Sequence, residues 1–425
     1  MSDLLRDIVE QNRNGLAAAL PSVCSAHPGV IAASLDLAAH LGRPIVIEAT
    51  SNQVNQDGGY TGMVPTDFVA MVHELADAHG MERRNIVFGG DHLGPQAWRK
   101  LPAEAALQMA HVMVADYVRA GFTKIHLDCS EGCAGEAACL PDAITAERSA
   151  ALAATCLQAT DQPEKLVFVI GTEVPPPGGA RADENTDIPA TAGPRAQATL
   201  LAHKDAFDAA GIGAAFAQVA GLVVQPGVEF SPTAVHHFPM TRKLPFRQVL
   251  ADWPGICVEA HSTDYQDDAV YPRLAAEGFA FQKVGPALTF AWRQAVYKLD
   301  MIRSLQGHDG PGLFQTMESL MRADPHHWNG HYDADSPGLS QALHFGFADR
   351  IRYYWPRREA QSALADLLEH ISRHPPSNPL LRQFFDPATI RRAEKNRKSL
   401  AQALIFAEVQ AALTPYYFEP TRGHP

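Results

Sequence analysis

Ile86-Val-Phe-Gly-Gly-Asp-His92 is a short apolar run that ends on two glycines, a carboxylate and an imidazole. Successive apolar residues with no polar alternation read as a strand buried on both faces, which is the mark of a parallel sheet covered by helices. Gly89 and Gly90 permit close approach of backbone or ligand. Asp91 and His92 then stand where the strand stops.

Working outward, the same kind of run recurs at Leu20–Ala26 and Pro44–Thr50 on the N-terminal side. It recurs at Lys124–Ser130, Leu166–Val174, Gly221–Phe230, Gly255–Thr263 and Ala280–Leu288 on the other. Helix-like segments fill the gaps. A stripe of apolar residues at three and four spacing follows Thr66, an N-cap candidate, and stops at Gly80. Ala103–Ala120 and Ala143–Ala159 read similarly, the second with Asp142 as its cap. Alternating strands and helices imply right-handed parallel units, and eight of them close a barrel. An open doubly wound sheet would need a glycine-rich turn after its first strand, and PSVCSAHPG at residues 21–29 offers none.

A chain of 425 residues exceeds the ~250–300 at which single cores stop growing. The expectation is therefore an α/β (β/α)8 barrel over residues 1–304 with a helical extension over residues 305–425 packed on it. In the extension, helical stretches start near Ser336, Arg358 and Thr389, with no comparable strand run. Ser51–Pro65 and Pro175–Pro194 are long enough to be functional loops.

Net charge is −12, without a basic run, which argues against sequence-independent nucleic-acid binding. A small phosphorylated substrate still fits, because one local pocket of donors suffices for it. No stretch nears the ~18 apolar residues of a membrane span, and the N-terminus lacks signal-peptide character. A cytoplasmic protein is expected. Cys129, Cys133 and Cys139 are spaced unlike a zinc site, so reduced thiols are expected.

In a barrel of this kind the active site lies at the C-terminal strand ends. Polar residues do collect there: Glu48 with Asn52, Asp91-His92, Asp128, Thr172-Glu173, Gln225, Glu259 with His261, and Lys283. Unpaired, each buried charge would cost several kcal/mol, so the pattern reads as a site. His92, His261 and Glu173 form a ligand set suited to zinc, with manganese the alternative. Asp91 is the candidate acid/base, with Asp128 and Glu173 as further catalytic carboxylates. Glu48, Asn52, Gln225, Ser262, Lys283 and Gly285 are substrate-binding candidates. Phosphate is expected near Ser262 and Lys283-Val-Gly285, after the last two strands, and Arg350 and Arg352 could add charge. His126 reads as a core or lumen histidine, and His326-His327 as surface residues.

Taken in order, SVCSAHPGVIAA, EATSNQVNQDGGYTGM, FGGDHLGP, KIHLDCSEGC, GTEVPPPGG, VVQPGVEF, EAHSTDYQ, KVGPALTFA and DRIRYYW resemble the GatZ/KbaZ family over essentially the whole chain. The resemblance implies a (β/α)8 barrel acting on tagatose phosphates in galactitol or N-acetylgalactosamine breakdown. It implies a non-catalytic subunit that supports a separate class II aldolase subunit, and that role is the leading expectation. A metal-dependent sugar-phosphate 4-epimerase, acting alone by retro-aldol and aldol steps, is the alternative. Some relatives carry a tagatose-6-phosphate kinase label, yet no Walker loop or kinase signature is found here. FGGDH and EAHST are also similar to the class II aldolase segments that hold the acid/base and zinc ligands, matching Asp91, His92 and His261. The aldolase pattern has a further histidine near strand six, which VVQPGVEF lacks, so Glu173 or Gln225 would have to substitute. A homo-oligomer is compatible with all of these readings.

Overall fold

The computed structural model describes residues 2–172, 188–308, 310–396 and 398–422. Strands β1 (Leu20–Cys24), β2 (Ile45–Thr50), β3 (Ile86–Leu93), β4 (Lys124–Leu127), β5 (Val167–Ile170) and β6 (Val219–Val223) run in chain order. A two-stranded ribbon follows, β7 (Glu229–Phe230) with β8 (Val235–His236), and then β9 (Cys257–Ala260) and β10 (Phe279–Val284). All but the ribbon form a closed parallel barrel, with β10 back against β1 through Leu20↔Phe281 to Val23↔Val284. This is the (β/α)8 barrel expected from the eight apolar runs.

The strands differ in extent from the runs read in the sequence, and two of the differences have a clear local cause. The sixth ends as a strand at Val223, because Pro226 and Gly227 (φ +98°) turn the chain out into the ribbon. The eighth ends at Val284, and Pro286 opens a twenty-residue helix, Pro286–Leu305. Helix Pro65–Ala78 starts one residue before Thr66, and Asp67 Oδ2 rather than Thr66 accepts the leading N–H, that of Val64, at 3.3 Å. Asp142 is the first residue of helix Asp142–Gln158, not its cap.

The lumen is layered. At the N-terminal end Leu5 and Val9 of helix Ser2–Arg13 plug the barrel against Val46, Val87, Val167, Val169 and Phe281. Above this apolar layer lie buried Glu48, Lys124, Glu259 and Lys283. Beyond residue 305 the chain continues through helices Leu313–Ala323, Leu339–Phe345, Arg358–Arg373, Asn378–Phe384, Pro387–Glu394 and Leu400–Leu413. The last of these is mostly apolar and largely buried, with Gln402 and Ala411 exposed. It packs against helices Pro28–Leu41 and Pro286–Leu305, and one contiguous apolar cluster runs from Val23 to Tyr416. Most of the predicted loop Pro175–Pro194 lies outside the described residues.

Candidate active site

β3 is where the local backbone makes the site. Its pairing with β4 runs Gly89↔Lys124 and Gly90↔Ile125, then slips to Leu93↔Leu127. Three steps on β3 therefore match two on β4, a bulge at Asp91-His92 that re-aims both side chains. His92 takes φ +48°, and Ser262, just past β9, takes φ +54°. Such left-handed conformations cost non-glycine residues about 1–3 kcal/mol and gather at functional sites. Gly89 is required next to them, since a Cβ there would lie 2.7 Å from Glu48 Cγ.

The imidazoles of His92, His126 and His261 form a triangle with every pair of ring centroids 5.1 Å apart. Each is tied to a carboxylate. His92 Nδ1 is 2.8 Å from Asp128 Oδ2, His126 Nδ1 is 2.9 Å from Asp91 Oδ1, and His261 Nε2 is 2.9 Å from Glu259 Oε1. Carboxylates in this position fix the ring and tautomer of a metal-binding histidine. Buried His126 Nε2 has no hydrogen-bond partner among the described residues. Ligand atoms of Asp91, His92 and His261 come within 4.8 Å of one another, as do those of His126, Glu259 and His261.

Under the triangle, Lys124 Nζ bridges Glu48 Oε1 at 2.6 Å and Glu259 Oε2 at 2.5 Å, fully buried. Lys283 Nζ pairs with Asp91 and reaches Glu48 at 3.2 Å and Glu259 at 3.4 Å. Three carboxylates (Glu48, Asp91, Glu259) thus face two ammonium groups, and a fourth, Asp128, faces His92. Together with the orphaned His126 nitrogen, this negative excess fits a divalent cation. Burial would raise the Asp91 pKa, but His92, Lys283 and the His126 hydrogen bond hold it well below the usual carboxylate range. Burial would lower the pKa of His92, yet Asp91 and Asp128 bring it above normal. His261 is pushed down to about 3, chiefly by burial and then by Lys283, and so stays neutral.

A cavity of about 290 Å³ opens above Asp91, His92, His261 and Lys283. Asn52, Ser262 and Gly285 line it as well. Glu48 and Asp128 lie behind the lining and act on it through Lys124, Lys283 and His92. Gln225 does not line it; its Oε1 accepts the Gly227 and Val228 N–H groups at 2.8 and 3.0 Å and shapes the loop after β6. Glu173 lies outside the described residues.

The loop Ser51–Pro65 forms one wall through Tyr60. Gly59, at φ +55°, is confined to glycine there, as a Cβ would lie 2.4 Å from Gln53 O. Tyr353 faces Tyr60 at 4.6 Å, and His327 stacks on Tyr353 at 4.7 Å. His327 is thus half-buried packing, not the surface residue expected; His326 is exposed. Lys124, His126, Tyr60 and Tyr353 were not among the site residues read from sequence. Period two was the available signal for the first two, because Lys124, His126 and Asp128 alternate and so share one face. Tyr60 and Tyr353 meet only in the fold.

Tyr353 carries a testable charge. Burial raises its phenol, but the Arg350 and Arg352 guanidiniums outweigh that and bring its pKa down to about 8. Tyr60 is pushed the other way, to about 12, mainly by burial. The expected result is a tyrosinate absorbance step near pH 8 that is absent in Tyr353→Phe. A phenol with a depressed pKa adds stability above its unfolded value, near 10, and loses it as pH falls through about 8. Wild type should therefore gain on Tyr353→Phe between pH 8 and 10. A step only at pH 10 would refute the guanidinium effect.

Residues 5–420 match the family described as D-tagatose-1,6-bisphosphate aldolase subunit GatZ/KbaZ-like. Over 388 residues, 90% of this chain and 91% of the relative, the sequence is 44% identical to D-tagatose 6-phosphate 4-epimerase of Agrobacterium fabrum. A crystal structure described as a probable tagatose 6 phosphate kinase from Sinorhizobium meliloti 1021 superposes with a TM-score of 0.84 at 41% identity. It covers 94% of this chain and 99% of its own.

Proposed function

Because the chain belongs to the GatZ/KbaZ-like family, we propose that it is a metal-dependent 4-epimerase interconverting tagatose 6-phosphate and fructose 6-phosphate. The observation that carries this reading is the relative of that name, 44% identical over 90% of this chain, taken with the Asp91 carboxylate beside His126 and His92 at 2.9 and 3.7 Å. It reverses the order of the two sequence-derived expectations, in which the aldolase-supporting subunit came first. A pure scaffold has no physical need for four buried carboxylates around three oriented imidazoles.

Held by His92 and His261 with one Asp91 oxygen, whose ligand atoms lie within 4.8 Å of one another, a divalent cation (zinc or manganese) would polarise the ketose carbonyl and its neighbouring hydroxyl. Asp91 Oδ takes the proton from the C4 hydroxyl. The C4–O bond becomes a carbonyl as C3–C4 breaks, and that electron pair moves into a three-carbon enediol fragment. Glyceraldehyde 3-phosphate is the other fragment. When this aldehyde turns its opposite face to C3, the bond re-forms, and Asp91 returns the proton to the epimeric hydroxyl. Lys283 holds Asp91 as the anion this requires. Glu259 and Asp128 orient His261 and His92. Glu173, expected as a metal ligand, plays no part in this scheme. We further place the barrel at residues 1–304, the extension at 305–425, and the protein in the cytoplasm.

The kinase description of the Sinorhizobium structure finds no support in this sequence: β1 is followed by Ser25-Ala-His-Pro-Gly29, not a glycine-rich phosphate loop. The deciding experiment incubates the purified protein with tagatose 6-phosphate and zinc or manganese. Formation of fructose 6-phosphate by the protein alone is expected. Turnover only after adding a class II aldolase subunit would instead favour the supporting role.

A further inference from the structure

In barrels, phosphate is commonly bound by backbone N–H groups near the last two strands, but here that place is taken. The amides of Gly285 and Ala287, at the start of helix Pro286–Leu305, donate to Asp264 Oδ1 at 3.0 and 2.8 Å. A carboxylate already caps the helix, and it would repel a second anion. Among the described residues, the Lys and Arg side chains lining the cavity are Lys283 and Arg352. Lys283 is committed to Asp91, Glu48 and Glu259.

Arg352 is differently placed. Its Nη1 donates to the carbonyls of Ala348 and Asp349 at 2.5 and 3.1 Å, and its Nη2 to the Tyr353 hydroxyl at 3.2 Å. Arg350 Nη1 reaches the same hydroxyl at 3.4 Å, while its Nε donates to His327 O at 2.6 Å. Among the described residues no carboxylate lies within ion-pair distance of either guanidinium. In a chain with net charge −12, two neighbouring arginines fixed by backbone carbonyls and a phenol hydroxyl, with no carboxylate counter-ion among the described residues, are a preorganised anion site.

We propose that Arg352 and Tyr353, on the turn Arg350–Tyr354, bind the phosphoryl group of the ketose phosphate and retain the phosphorylated aldehyde while it turns over between bond cleavage and bond re-formation. This rests on the epimerase reading above. Between the two steps the aldehyde fragment has no covalent tie to its partner, so its phosphate is the natural anchor. Weakening the anchor converts an epimerase into a leaky aldolase.

The test compares wild type with Arg352→Gln, Arg352→Lys and Tyr353→Phe on tagatose 6-phosphate and on unphosphorylated tagatose. A coupled dehydrogenase reads released glyceraldehyde 3-phosphate. Losing a hydrogen bond to a charged group corresponds to about a 10- to 100-fold change. Arg352→Gln should raise KM for tagatose 6-phosphate by about that factor, with the preference for phosphorylated over unphosphorylated ketose falling in step. Triose released per epimerisation should rise, and Arg352→Lys should recover part of the loss. A merely structural arginine would not alter that partition. A folded Arg352→Gln with unchanged KM and no extra triose would overturn the proposal. If Arg352→Gln does not fold, Tyr353→Phe carries the same test with a smaller shift in the same direction. If wild type does not turn over tagatose 6-phosphate, the epimerase reading fails by itself. Calorimetry with inorganic phosphate then judges the subsite: binding lost in Arg352→Gln supports it, and equal binding in the two refutes it.

Discussion

Alanine in place of His92 should remove bound metal and epimerase turnover together, the latter by at least about the 10²–10⁴ that a lost catalytic group commonly costs. The reason lies in the bulge on β3. It places the His92 ring in the triangle with His126 and His261. Two companion substitutions separate binding from chemistry. Asp91→Asn should keep the metal and lose turnover by about 10²–10⁴ if Asp91 moves the proton. If the ion needs the Asp91 charge, metal content falls with it. Among the described residues the Asp128 carboxylate hydrogen-bonds to His92 Nδ1 and the Ser130 N–H and hydroxyl, and Asp128→Asn should weaken metal affinity about 10- to 100-fold, as loss of an orienting partner does. Metal analysis after dialysis, alongside a fructose 6-phosphate assay, reads all three. His92→Ala with full metal content would remove it from the ligand set.

Lys124→Met is expected to give the largest loss of stability. Lys124 is fully buried, and its removal leaves Glu48 and Glu259 short of their nearest counter-ion in the lumen. Breaking a buried pair from one side commonly costs about 3–5 kcal/mol, because an uncompensated charge stays behind. Lys283, at 3.2 and 3.4 Å from the same two carboxylates, offsets part of this and draws the expected loss toward the lower end. Adding Glu259→Gln should restore some stability by deleting one stranded charge. It should not restore turnover, since His261 loses its orienting partner. Denaturant unfolding measures both variants. A Lys124→Met protein within 0.5 kcal/mol of wild type, well under that range, would mean the carboxylates take up protons at little cost.

Much of this architecture could be read from the residues. Strands buried on both faces are almost wholly apolar, so β5, β6 and the first half of β3 announce themselves, and eight apolar runs leave few topologies. Polar residues ending apolar runs singled out Asp91, His92, His261 and Lys283, which the fold brings to one cavity. The family resemblance rested on the same segments. Of its two functional implications, the one placed second is the better supported.

Other features could not be read this way. His126 and Lys124 sit inside an apolar run, where a single polar side chain usually means a satisfied core group. Whether it meets a partner depends on the register of β4 against β3 and β5, and hence on a bulge with no sequence signature beyond two glycines. Asp264 lies past β9, and only its distance to the Gly285 and Ala287 amides shows that it occupies the expected phosphate position. Tyr60 and Tyr353 are nearly 300 residues apart in the chain and face each other at 4.6 Å. Local pattern thus determined the barrel and the rim where its chemistry sits. Which side chains meet across that rim was decided by the tertiary structure, because barrel closure and the return of the C-terminal helices set distances that no local periodicity encodes.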